Sequence, residues 1–434
     1  MATPETGSDA SPAYGSAALR IRDARRWTDG ASIDIDLEDG RIVAVHAAGT
    51  GGTFPGAELD AAGALAAPPF AEPHYHLDKA FAEAEPLPGG TLAEQLAAIG
   101  RAAADTPEAT FTERAVRAAG LMVASGVTTI RTFADIDPHV GLRVFRALQE
   151  AKRRLSGLVD LQVIAFPQHG LFTEPGIAGN VERAVAEGAD GVGGHPQLER
   201  DATDGHRQIE RVCTLAREAG VPVDFHVDET DDPASAWLAP VVEGALAAGL
   251  AGRMSLAHCN SLAWKPHAER ASLIALLAQA GATVVVSPTS GLLFRGHGAD
   301  DPTRGIAPVR ALLDGGVRVA CGQEIYRSLF SRNLRYPDPL MSGQLLAYMT
   351  RMADDAGLER VFAMLTADAP ASLGLAPRHL VPGEPADLVL LDGACVQDVL
   401  TRPPPARTVI KAGRVIARSR FAAEIAEPGT ALAV

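Results

Sequence analysis

The chain has 434 residues, 47% of them hydrophobic and 21% charged, the balance of a globular protein with a sizeable core. Its net charge of −14 and the lack of any basic run longer than pieces such as Lys152-Arg153-Arg154 argue against a surface that tracks nucleic-acid phosphates. No stretch approaches ~20 uninterrupted apolar residues, which argues against a membrane-spanning helix. Cys213, Cys259, Cys321 and Cys395 are spaced too widely for a zinc finger or a disulfide scaffold and fit a reduced, cytoplasmic setting.

Residues 1–16 are small and polar without an apolar h-region, so they read as a disordered tail rather than a signal peptide. Residues 19–49 alternate apolar and polar side chains around Asp39-Gly40, an antiparallel hairpin pattern. From Leu65 to about Gly374, short apolar runs alternate with Ala-rich helical stretches, the rhythm of βα units. The runs are 64–70, 128–133, 160–166, 189–193, 221–225, 253–257, 283–287 and 317–321. Eight is the number that closes a parallel (β/α)8 TIM barrel. Helices are expected at 112–125, 205–219 and 308–313, and Gly126, Gly220, Gly281 and Gly316 stand where left-handed residues stop helices. Residues 387–418 return to alternation. Neither end piece is long enough to bury a core alone, so the two are expected to pair. The expected organisation is a tail at 1–16, a composite β-sandwich domain from 17–63 and 376–434, and a barrel from 64–375.

Reactive groups in such barrels sit where strands end and βα loops begin. The first run leads into Glu72-Pro73-His74-Tyr75-His76-Leu77-Asp78, and strand alternation turns His74 and His76 to one side, where two imidazoles can face one metal. His226-Val227-Asp228-Glu229 follows the fifth run, His258-Cys259-Asn260 the sixth, and Gly322-Gln323-Glu324 the eighth. One strand-end histidine is more often a hydrogen-bonded structural residue than a ligand. Four strand ends delivering four histidines and a carboxylate to one rim make a metal site the expectation. His139, His169, His195, His206 and His297 are read as surface positions.

Residues 68–79, Pro-Pro-Phe-Ala-Glu-Pro-His-Tyr-His-Leu-Asp-Lys, resemble the first metal motif of the cytosine deaminase group in the amidohydrolase superfamily. Residues 162–168 and 226–229 share that resemblance, and 383–390 and 409–414 resemble the superfamily's β-domain. The similarity implies that His74, His76 and His226 hold one divalent metal, Zn2+ or Fe2+, with a strand-eight carboxylate, here Glu324, as further ligand and general base. It implies that His258 contacts the attacking water, Glu229 shuttles a proton to a substrate ring nitrogen and Gln168 bonds the substrate's amide edge. Each role has a physical basis: a metal lowers the pKa of water towards ~7, a carboxylate can relay the proton, and an amide donates and accepts at once. The strand-four end, Gly191-Val192-Gly193-Gly194-His195, lacks the lysine that bridges two metals in other members, which favours a single metal. The implied activity is hydrolytic deamination of a cyclic amidine or nucleobase-like heterocycle, with a homo-oligomer as the common family state. Cyclic-amide or N-substituted amine hydrolysis on the same fold is the alternative.

Two features depart from the family. Where it places an aspartate, this chain has Glu324, and the next aspartate is Asp338. The extra methylene moves the carboxylate by ~1.5 Å. Either the backbone is set back to compensate, which is the expectation, or the chain is an inert metal- or ligand-binding homologue. The loop at 325–339 is longer than the family's and carries Arg327, Arg332 and Arg335, whose planar forks suit carboxylate or phosphate. It is expected to recognise an anionic or larger substituent, the alternative being a solvated loop.

Overall fold

The computed structural model describes residues 18–82, 92–295, 305–325, 337–402 and 406–420. In chain order the strands are β1 (Ala18–Arg26), β2 (Ser32–Glu38), β3 (Arg41–Ala47), β4 (Ala57–Asp60), β5 (Leu65–Ala67), β6 (Phe70–Tyr75), β7 (Val127–Asp135) and β8 (Asp160–Phe166). They continue with β9 (Gly191–Gly194), β10 (Val223–Val227), β11 (Met254–His258), β12 (Thr283–Val286), β13 (Arg318–Cys321), β14 (Leu388–Leu391), β15 (Arg407–Lys411) and β16 (Arg414–Ser419). The chain divides into two compact units, one of Met1–Pro68, His379–Cys395 and Pro405–Val434, the other of Pro69–Arg378 and Val396–Pro404.

The first unit is the β-sandwich built from both chain ends. Its strands run β16-β15-β14-β5-β1-β2-β3, with β4 paired to β1. Asp39 and Gly40 turn β2 into β3 with φ of 48° and 74°, the left-handed pair that matches the twist of a tight hairpin. Alternation sends Ile21, Ile35, Leu37, Leu388, Leu390 and Ile410 into one apolar cluster, so neither end completes the core without the other.

The second unit is the TIM barrel, eight strands in the order β6 to β13. β7, β10, β11 and β12 are buried along their whole length, as strands covered on both faces are. Glu324, past the end of β13, closes the ring: its N–H donates to the His74 carbonyl at 3.1 Å and its carbonyl accepts from the His76 N–H at 2.9 Å. Helices fill the crossovers. The helix Glu108–Ala124 turns Phe111, Ala115, Ala118, Ala119 and Met122 inward, one stripe at helical spacing. Arg131 lies fully buried and donates to Asp224 Oδ2 at 2.8 Å.

Two boundaries differ from the sequence reading. The apolar run 64–70 is not one barrel strand. Leu65–Ala67 pairs with β1 and β14 in the sandwich, and the first barrel strand starts at Phe70. Pro68 and Pro69 between them have no N–H to give a ladder. The second difference is a short helix, Val396–Thr401, which falls within the range expected for the β-domain but belongs to the barrel unit and buries Val396, Val399 and Leu400. Among the described residues no helix is long and apolar enough to cross a membrane.

Candidate metal centre

The strand ends bring His74, His76, His226, His258 and Glu324 together. His74 and His76 leave β6 on the same side, and both are buried. His226 comes from β10 and His258 from the last position of β11. Four non-glycine residues at this rim hold left-handed backbones: Asp228 (φ 49°), His258 (72°), Cys259 (50°) and Glu324 (73°). Such conformations cost about 1–3 kcal/mol each and persist where the surroundings over-determine them. Around Asp228 that support is explicit, since its carboxylate accepts from Ser235 Oγ at 2.6 Å and from the Trp237 N–H at 3.0 Å.

The donor atoms converge. His74 Nε2 and His76 Nε2 are each 3.7 Å from a Glu324 oxygen, and His258 Nε2 is 3.9 Å from Oε2. His226 Nε2 lies 3.4 Å from His76 Nε2. Two overlapping triads, His74–His226–His258 and His74–His76–Glu324, have all ligand atoms within 4.8 Å of one another. Phe133 and Phe166 floor the site, with ring centroids 4.5 Å from His74 and 4.4 Å from His226.

Both ring nitrogens of His74, Nδ1 of His226 and Nε2 of His258 are buried without a hydrogen-bond partner among the described residues. Leaving such atoms unpaired in an apolar surround is costly, and a cation among them removes part of that cost. The electrostatics agree for two of the histidines. Burial holds His76 and His226 well below the ordinary histidine range, helped by Lys79 at His76 and by the neighbouring imidazoles at both, which favours the neutral, ligating form. His74 is raised by Glu324 against its burial. Burial alone would raise Glu324, but His258 and His74 outweigh it and keep the carboxyl well below its usual range. The residues fit a divalent metal.

A second layer fixes these ligands. Lys79 Nζ is buried and lies 3.0 Å from His76 Nδ1, 3.0 Å from Asp135 Oδ1 and 2.8 Å from Gln168 Oε1. Gln168 Nε2 sits 3.3 Å from His195 Nδ1. Glu72 accepts from the His74 N–H at 3.0 Å, and burial pushes its carboxyl up to about 7. Glu229 stands at the mouth, its Oε2 3.7 Å from His258 Nε2 and its Oε1 accepting from Arg295 Nη2 at 2.7 Å.

His195 is not a surface residue. It is fully buried, stacked on Phe166 with its centroid 5.4 Å from His226, and burial lowers it to about 4. Three glycines of β9 leave the strand end thin enough for the ring to fold inward; a Cβ on Gly194 would meet Phe225 at 2.4 Å. His139 and His206 are exposed and His169 is half-buried, while His297 and the arginines Arg327, Arg332 and Arg335 lie outside the described residues. Sequence reasoning gave no role to Lys79, Asp135, Glu72, Gln323 or Arg295. A strand-end position was a usable signal for His195 and Asp135.

A model of the amidohydrolase family matches residues 82–417. The chain belongs to the amidohydrolase family. This amidohydrolase is 30% identical to the crystal structure of 5-methylcytosine deaminase from Klebsiella pneumoniae liganded with 5-fluorocytosine, covering 95% of this chain and 100% of that one at a TM-score of 0.89. It is 27% identical to N-isopropylammelide isopropyl amidohydrolase from Pseudomonas sp. (strain ADP), over 92% of this chain and 97% of that protein. It is also 27% identical to pterin deaminase from Rhizobium rhizogenes, over 89% and 88%. The cytosine deaminase-like resemblance and the barrel-plus-sandwich architecture read from the sequence therefore hold.

Proposed function

We propose that this amidohydrolase is a metal-dependent hydrolytic deaminase of a cyclic amidine or nucleobase-like heterocycle. The observation that carries the reading is the buried cluster of unpartnered imidazole nitrogens beside Glu324, with Glu229 3.7 Å from His258 at its mouth. His74, His76, His226 and Glu324 would hold one Zn2+ or Fe2+, a nitrogen and carboxylate set suited to either. When bound, the metal supplies Lewis acidity that makes water a nucleophile near neutral pH, its pKa falling towards ~7.

The chain's own residues do the rest. His258 orients the attacking water through Nε2, and Glu324 takes its proton. Glu229 carries a proton to the ring nitrogen of the substrate, a transfer that positioned carboxylates accelerate by ~10²–10⁴. Gln168 presents its remaining amide hydrogen to the substrate's edge. Water adds to the ring carbon, Glu324 hands the proton it took to the exocyclic nitrogen, which leaves as ammonia, and the added hydroxyl returns a proton to Glu229 as it becomes the oxo group. Phe133 and Phe166 keep bulk water from beneath the ligands.

A second reading, loss of a substituted amine, is favoured by the similarity to N-isopropylammelide isopropyl amidohydrolase. Metal content of the purified protein, with ammonia and amine release across cytosine, isocytosine, pterin and triazine substrates, separates them. About one metal per chain with ammonia release supports deamination, and amine release supports the second reading. A chain that takes up no metal on adding Zn2+ or Fe2+ sinks both.

A further inference from the structure

Arg295 enters the site from a direction the motifs do not mark. It follows the helix Pro288–Phe294 after β12, and its side chain is only 10% exposed. Nη2 donates to Glu229 Oε1 at 2.7 Å, while the other oxygen of Glu229 faces His258 at 3.7 Å. The guanidinium also acts on His258 itself: behind burial, the two glutamates and His74, its charge is among the influences on that ring, pressing its pKa down. Arg295, Glu229 and His258 thus face one another across the mouth of the metal centre.

A guanidinium carries five N–H donors and no acceptor. Among the described residues Glu229 is the hydrogen-bond partner of Arg295, so the fork keeps donors for something else. This inference rests on the proposal that Glu229 meets a ring nitrogen of the substrate. The atom attached to the ring carbon beside that nitrogen then lies next to Glu229, within reach of Arg295. An oxo or enolate oxygen there accepts from the guanidinium. An amino group would set N–H against N–H, and a bare C–H would leave the buried donors unpaired.

We infer that Arg295 is a specificity-determining residue that reads an oxygen flanking the protonated ring nitrogen, so that the substrates are oxo-bearing heterocycles. A site built around such a hydrogen bond rejects the analogue that lacks it far more strongly than an apolar pocket rejects a missing methylene. The fork is planar and fixed, so lysine replaces it only in part.

Pyrimidin-2-one and pyrimidine test this, since neither carries an amine to lose and binding can be read apart from turnover. Calorimetry on metal-loaded wild type, Arg295→Met and Arg295→Lys, with metal content and circular dichroism as checks on folding, gives the comparison. The wild type is expected to bind pyrimidin-2-one at least about tenfold tighter than pyrimidine. Arg295→Met should abolish that preference and Arg295→Lys keep part of it. No preference in the wild type, or an undiminished one in Arg295→Met, overturns the inference. Ammonia release across cytosine, isocytosine, pterin and triazine substrates is scored separately: its absence from all of them, with the Arg295-dependent preference intact, removes deamination and leaves the oxygen-reading role standing.

Discussion

Glu72 grips Gln323 with both carboxylate oxygens, Oε1 accepting from the backbone N–H at 3.1 Å and Oε2 from the side-chain amide at 2.8 Å. This clamp ties the first barrel strand to the segment after the last one, beside His74 and Glu324. Gly322 fits there because a Cβ would come within 3.0 Å of His74 Cβ.

The clamp is pH-sensitive. Burial raises Glu72 from 4.5 to about 7 in the folded chain. Between those values the folded state holds a proton that the unfolded state releases, so stability falls as pH rises through the window and the loss is complete above about 7. A shift of that size corresponds to about 3 kcal/mol. In urea unfolding of the chelator-treated protein, wild type should lose about that much more stability than Glu72→Gln between pH 5 and pH 8. Parallel profiles for the two proteins would contradict the raised carboxyl.

His74 belongs to both ligand triads, whereas His226 and His258 belong to one. His74→Ala and His226→Ala should purify with less than about a tenth of the wild-type metal, since a missing ligand leaves an open and unbalanced site. His258→Asn should keep the metal while kcat falls by about 10²–10⁴, the scale of a lost proton-handling group. Metal analysis decides it: an asparagine variant that also arrives metal-free makes His258 a ligand.

Glu324 reaches its neighbours from a left-handed backbone at φ 73°, with its two oxygens 3.7 Å from His74 and His76. Shortening it to aspartate withdraws the carboxylate by ~1.5 Å, enough to disrupt a reacting geometry. Glu324→Asp should therefore weaken metal binding by about 10–100-fold, the range seen when a ligand's support is lost. Competition with a chelator measures it. An unchanged affinity would show that the backbone tolerates either length.

The four histidines and Glu324 were legible in the sequence because strand alternation and the strand-end rule fix where they point. Lys79 lies within the first motif, yet its bonds to His76, Asp135 and Gln168 join three different strand ends, and no local pattern predicts that meeting. Arg295 was hidden for the same reason, since only the fold carries the helix after β12 round to Glu229. His195 is buried although its sequence reads as surface: beyond its place at a strand end, nothing local marks a ring that turns into the barrel behind three glycines of β9. The run 64–70 misled because its apolar side chains are continuous while its hydrogen bonding is not: two prolines separate one sheet from the other.

The sandwich has a consequence for synthesis on the ribosome. β5 at Leu65–Ala67 finds its antiparallel partner in β14 at Leu388–Leu391, which is translated only after all eight barrel strands. At ~5–20 residues per second, the N-terminal strands wait tens of seconds with an unpaired edge. Over that interval they are an open template for a neighbouring nascent chain, and a chaperone that shields β5 would raise the yield of folded protein without touching the barrel.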